Sequence, residues 1–284
     1  MKKLKKIVIT IIKISISILL LYFVFRKVPF AEVWSLVKES KPLYLVLGLM
    51  TFTYSQLLSS TRLLSFFHTN GYLLKAQSNW KLYLIGMFYN FFIPGGIGGD
   101  AYKVYVLNKK FDWSVKKLMT SVFCDRLSGL MAICFLILLL SAKFLPGYWW
   151  TLLIPTIPIA YFIARFLWGK LFNSFSGIFN KSLLYSLGVQ GLQLLSIFFI
   201  LNSFTSVDSV WIYFMVFLLS SILSLISFSG IGVREWLFMQ AANYYAFDAG
   251  VSVSTAMLFS IMTALVSLVG LIYQLTHFSL EKEG

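Results

Sequence analysis

Long apolar runs broken by short basic stretches decide what this chain can become. They cover residues 7–25, 43–60, 121–141, 149–168, 183–201, 210–228 and 253–276. A hydrocarbon slab about 30 Å thick takes about 20 helical residues, so these runs have spanning length. Backbone in lipid must satisfy its own hydrogen bonds, which makes each run a helix. Apolar residues form 59% of the chain and charged residues 12%, and the mean hydropathy is +0.83. A water-soluble fold is excluded. The N-terminal Lys2, Lys3, Lys5 and Lys6 before the first run resemble a signal peptide, but no small-residue cleavage site follows, so the run is expected to be a retained helix.

Two shorter apolar segments, 82–93 and 236–247, adjoin glycine motifs. The first motif is Gly96-Ile97-Gly98-Gly99-Asp100 and the second Gly230-Ile231-Gly232-Val233-Arg234-Glu235. Paired glycine-interrupted segments in the two halves of a membrane chain point to a substrate site built from broken helices. The expected fold is therefore all-α: a polytopic membrane protein of about seven to nine transmembrane or half-spanning helices. An inverted two-fold repeat and re-entrant, glycine-broken segments are expected within it. A single integral membrane domain spans 1–284, with motif 90–103 in the half 1–141 and motif 227–236 in the half 142–284.

The formal charge of +14 follows the topology and not a nucleic-acid surface, because the basic residues lie between spans. With the N-terminus inside and the first short segment returning to its own side, Arg26, Lys27, Lys38, Lys41 and Lys143 fall outside. Arg234 and Lys282 stay unassigned, and the remaining lysines and arginines fall inside. This predicts the cytoplasmic membrane with a cytoplasmic N-terminus. The stretch 103–117 reads either as an interfacial amphipathic helix with lysines on anionic headgroups or as a loop that is basic for topology alone. Cys124, Cys134, His68 and His277 have no metal-ligand spacing, so neither a metal nor a cofactor is expected.

Of ten acidic residues, three sit where solvation does not explain them: Asp100, Asp125 and Glu235. Ionisable groups at membrane depth are costly enough to mark function. Asp125-Arg126 opens a long span; Asp125 pairing locally with Arg126 snorkelling outward is the competing account. In the first motif, Pro94 ends a helix, the glycines permit close approach, and Asp100 can cap a helix starting near Ala101. Such a helix start attracts anions, of which lipid phosphate is the obvious one, unless Asp100 itself fills it. In the second motif, Arg234 can grip two phosphate oxygens, while Glu235 can pair with Arg126 or Arg62 or carry a proton. Gly-x-Ser-x-Gly, His-Glu-x-x-His and Asp-x-Asp signatures are missing from the sequence, and no catalytic residue is assigned.

These motifs together resemble the lysylphosphatidylglycerol synthase transmembrane region, or flippase-like, family. The resemblance rests on Ser60-Thr61-Arg62-Leu63-Leu64, Asn90 with Pro94-Gly95-Gly96-Ile97-Gly98-Gly99-Asp100, Asp125-Arg126 with Gly129-Leu130, and Gly230 through Glu235. Leu63 stands where the family often has tryptophan, and Ile226-Ser227-Phe228-Ser229 where it has proline and a further glycine. The resemblance implies movement of an aminoacylated phospholipid between leaflets, with a separate cytosolic domain performing the transfer; that domain is expected to be missing here. The candidate substrate residues are Arg62, Asn90, Gly96, Gly98, Gly99, Asp100, Asp125, Arg126, Gly230, Gly232, Arg234 and Glu235. The expected partners are the membrane and a phospholipid or lipid-linked substrate, with a separate transferase subunit as a further candidate and no nucleic acid. A membrane subunit of a lipid-modifying transferase, acting on phosphatidylglycerol or polyprenyl phosphate, is the alternative function.

Overall fold

A computed structural model describes residues 30–92, 97–204, 209–226, 233–245, 248–276 and 279–283. The expected first helix at 7–25, Pro94 to Gly96 and Gly230 to Gly232 lie outside these residues. The described residues form ten α-helices: α1 Phe30–Glu39, α2 Pro42–Thr69, α3 Ala76–Phe92, α4 Gly98–Phe111, α5 Val115–Leu140, α6 Leu153–Leu171, α7 Phe179–Phe204, α8 Val210–Ile226, α9 Val233–Tyr245 and α10 Ala249–Leu275. The spans begin and end within several residues of their expected bounds. The largest differences are at α2, which continues nine residues past Ser60, and at α3 and α5, which start six residues early, at Ala76 and Val115.

Among the described residues four stretches are long and apolar enough to cross a membrane: Val115–Lys143, Trp149–Leu171, Asn173–Phe204 and Ala249–Leu275. Helix α2 has 28 residues, yet it carries Ser55, Gln56, Ser59, Ser60 and Arg62 among its buried residues. Those residues recur every three or four positions and so share one face. That face is turned inward against α7, antiparallel to it: Ser196 Oγ donates to the Gly48 carbonyl at 2.8 Å and Arg62 reaches Ser186. A polar stripe hidden in the bundle leaves the apolar side for lipid, which is how such a helix tolerates an arginine. Helix α6 is the opposite case: Ile154, Ile159, Phe162, Ile163 and Phe166 are all exposed. In water this surface would be an aggregation site, but against lipid it is satisfied.

Helices α3 and α4 form an antiparallel hairpin. The Gly99 N–H donates to Asn90 Oδ1 at 2.8 Å, and Tyr89 and Tyr102 pack ring to ring. The hairpin leaves from and returns to one end of the bundle, because Tyr72 in the α2–α3 connection stacks on Trp113 in the α4–α5 connection at 4.5 Å. The short segment expected at 82–93 therefore does turn back. Glycine makes the hairpin possible: a Cβ on Gly99 would strike the Gly86 backbone, and one on Gly270 of α10 would strike the Leu84 backbone. α3 is thus held at backbone contact between α4 and α10. Residues 279–283 close the same end. Leu280 is buried with Leu63, Val104, Leu107 and Leu118, and the Lys282 ammonium lies over Phe111 and Trp113.

Candidate functional site

Two ion-pair groups lie on the packed faces of α2, α4 and α5. In the first, Arg62 Nε donates to Asp125 Oδ1 at 2.8 Å and Nη2 to Oδ2 at 3.2 Å, a two-pronged contact between helices 63 residues apart in sequence. Arg62 Nη1 donates to Ser186 Oγ at 2.8 Å and Nη2 to Ser59 Oγ at 3.4 Å; Ser186 in turn donates to Ser128 and the Ser182 carbonyl. Gly129 admits the guanidinium, since a Cβ there would stand 3.3 Å from Nη1. Arg62 and Asp125 are both buried. A pair so enclosed and so fully bonded fixes three helices together.

The second group is asymmetric. Asp100 accepts from Lys103 Nζ at 3.0 Å on one oxygen and from Arg126 Nε at 2.9 Å on the other. The Lys103 side chain is 6% exposed and that of Arg126 43%, with Asp100 between them at 15%. Lys103 is covered by Tyr83, whose ring centre is 5.0 Å from the ammonium. The Tyr83 hydroxyl donates to Gln56 Oε1 on α2 at 2.9 Å, so it ties this group to the wall that holds Arg62. Arg126 stands about 16 Å along α5 from Val115 and about 7.5 Å past Ser121, where the apolar run begins, at 1.5 Å per residue. Among the described residues only its Nε hydrogen-bonds, and 43% of the side chain is exposed.

Several expectations change here. Asp100 does not cap α4: the helix begins at Gly98, Asn90 accepts from the Gly99 N–H, and Asp100 inside the first turn faces Lys103 and Arg126. Lys103 is not an interfacial lysine, because the i,i+3 carboxylate draws it into the fold. Asp125 does not pair locally but with Arg62 on α2, and Arg126, about 100° round the helix from it, takes Asp100 on α4. Gly99 serves the hairpin through close packing, whereas a Cβ added at Gly98 would meet nothing nearer than the Tyr89 carbonyl oxygen at 4.0 Å.

Arg234 and Glu235 stand elsewhere, on α9 against α8 and α10. The Arg234 guanidinium lies 4.7 Å from the centre of the Phe259 ring and 5.3 Å from that of Phe217 and donates to Ser220 Oγ at 3.4 Å. Glu235 accepts from Ser260 Oγ at 2.7 Å, while Arg126 and Arg62 take Asp100 and Asp125 as their carboxylates. The sequence reading missed Lys103, Tyr83, Gln56 and the serines Ser59, Ser128 and Ser186. For Lys103 the signal was present, three residues after Asp100; for the others it was not.

The family model described as the lysylphosphatidylglycerol synthase TM region matches residues 10–272. No curated protein matches the chain.

Proposed function

The chain belongs to the lysylphosphatidylglycerol synthase TM region family, a membrane domain linked to lipid modification or translocation, and on that premise we propose that it translocates a phosphate-bearing lipid between leaflets. The substrate class is an anionic or aminoacylated phospholipid or a lipid-linked intermediate. The membrane is the bacterial cytoplasmic membrane, with the N-terminus on the cytoplasmic side. One observation carries this reading: Arg126, within the apolar span of α5 and 43% exposed, is held at its Nε by Asp100 and makes no other hydrogen bond among the described residues.

An isolated guanidinium at that depth would be too costly to keep, and Asp100 offsets part of the cost. Lys103 keeps Asp100 from neutralising Arg126 completely, so attraction for an anion survives. A headgroup phosphate crossing the slab faces the same desolvation cost in reverse, and the two costs fall together when the phosphate meets Arg126. Because α4 is one arm of a hairpin and begins at Gly98, the site sits at a helix end, which in a membrane must face protein or water.

The test uses the whole chain in liposomes with trace NBD-labelled phosphatidylglycerol and dithionite added outside. Label from the inner leaflet should bleach faster with protein than without it. Arg126→Gln, inserted and folded, should slow that bleaching about tenfold or more, the equivalent of one lost charge-assisted contact. Equal rates for the two proteins would remove Arg126 from the route.

A further inference from the structure

We infer that an open cavity between α2 and the start of α7 holds the headgroup of a phospholipid whose alcohol carries hydrogen-bond donors, glycerol or ethanolamine and not choline. The site is separate from Arg126 and does not depend on translocation. The cavity measures about 380 Å³ and is lined by Thr61, Ser65, His68 and Thr69 of α2 and by Lys181 and Tyr185 of α7. Arg62, next to Thr61, is buried and turns to Ser186 inside the bundle. Helix α7 has 26 residues and so runs about 39 Å, more than a hydrocarbon slab about 30 Å thick. Lys181, its third residue, therefore stands at headgroup level.

The two walls of the cavity differ in what they offer. On α2, Thr61 Oγ1 donates to the Leu57 carbonyl at 3.0 Å, Ser65 Oγ to the Thr61 carbonyl at 3.1 Å and Thr69 Oγ1 to the Ser65 carbonyl at 2.8 Å. Hydroxyls bonded back to their own helix keep free lone pairs but no free proton, so toward a ligand they accept. At a spacing of four they form one strip of acceptors along α2. On α7, the Lys181 ammonium lies 5.9 Å from the centre of the Tyr185 ring. Among the described residues Lys181 forms no ion pair and the Tyr185 hydroxyl no hydrogen bond, so this wall donates. His68 is engaged elsewhere, with its Nε2 3.1 Å from the Leu74 carbonyl oxygen and 4.0 Å from Glu283.

A phosphodiester supplies anionic oxygens to Lys181 and Tyr185, and an alcohol bearing O–H or N–H groups supplies donors to the strip on α2. Choline has the phosphate but a fully methylated nitrogen with no proton to give. Leu64 and Ile178 add apolar wall, and Leu184 beside Tyr185 is 71% exposed within an apolar span. Acyl chains cover that surface, which a soluble phosphodiester would leave bare.

Native mass spectrometry of the purified chain with equimolar phosphatidylglycerol, phosphatidylethanolamine and phosphatidylcholine tests this, in Arg126→Gln as well as the unmutated protein so that lipid held at Arg126 is subtracted. The first two lipids should each be retained about tenfold over phosphatidylcholine. The triple variant Thr61→Val, Ser65→Ala, Thr69→Val should bring that ratio close to one, and Lys181→Gln should weaken retention of all three lipids about tenfold. Ser65→Ala alone should lower the ratio part of the way, and it decides if the triple variant does not fold. Equal retention of phosphatidylcholine overturns the inference, as does a ratio unchanged by the hydroxyl variants or retention unchanged by Lys181→Gln. Glycerophosphoglycerol, the same headgroup without chains, should not compete at equal concentration; competition would make the ligand a soluble phosphodiester and overturn the lipid assignment. Slow lipid movement in liposomes with this selectivity intact would overturn the translocation reading alone.

Discussion

Asp125→Ala should be among the most damaging single substitutions in the molecule, destabilising it by about 3–5 kcal/mol, because it strands Arg62 as a buried charge without a partner. Arg62 would lose its two-pronged contact and keep only Ser186 and Ser59. Neutral hydroxyls do not replace a carboxylate, and α2, α5 and α7 would all feel the loss. The double variant Arg62→Leu, Asp125→Leu should recover most of the stability, since removing both charges removes the desolvation cost with them. Thermal melting of the detergent-solubilised proteins, read as a double-mutant cycle, checks this. Recovery of lipid movement along with stability would assign Arg62 and Asp125 a purely structural part, leaving the headgroup to Arg126. A double variant as unstable as Asp125→Ala would contradict the pairing itself.

Gly99→Ala should be nearly as harmful, while Gly98→Ala beside it should be harmless. A methyl group on Gly99 collides with the backbone of Gly86, which cannot swing aside as a side chain can. Overpacking of this kind costs about 1–3 kcal/mol in ordinary cores and more when backbone must move. The functional loss should exceed the loss in stability, because Asp100 and Lys103 stand next on α4 and shift with it. A Cβ added at Gly98 would lie 4.0 Å from its nearest neighbour, the Tyr89 carbonyl oxygen. Alanine fits there and favours the helix by up to about 1 kcal/mol. Parallel melting and lipid-movement assays on the two variants separate close packing from backbone freedom. If both were tolerated, the α3–α4 contact would not be as tight as described.

Much of this architecture was legible because hydrocarbon restricts the backbone so strongly. Apolar length and basic punctuation gave the helices α5, α6, α7 and α10 to within six residues, and the glycines after Asn90 include Gly99, where the two arms of a hairpin touch. What could not be read was who faces whom. The Arg62–Asp125 contact joins residues 63 apart, and no local pattern encodes such a distance. Asp100 looked like a cap because an acid follows the glycines, yet Asn90 from the preceding helix reaches Gly99 first. Lys103 was taken with Lys109 and Lys110 because all three are basic, although only Lys103 shares a helix face with Asp100. A local partner for Asp125 was the competing account, where helix packing brings it Arg62 from α2.

The most direct measurement of the central claim is the approach of lipid phosphorus to Arg126. In solid-state NMR of the chain reconstituted in phosphatidylglycerol with ¹⁵N-labelled arginine, phosphorus–nitrogen recoupling should dephase terminal guanidinium signal, and Arg126→Gln should remove that component while Arg62→Lys leaves it in place. A dephased component unchanged in Arg126→Gln would mean that the phosphate rests elsewhere, and the headgroup site proposed at Asp100, Lys103 and Arg126 would be wrong.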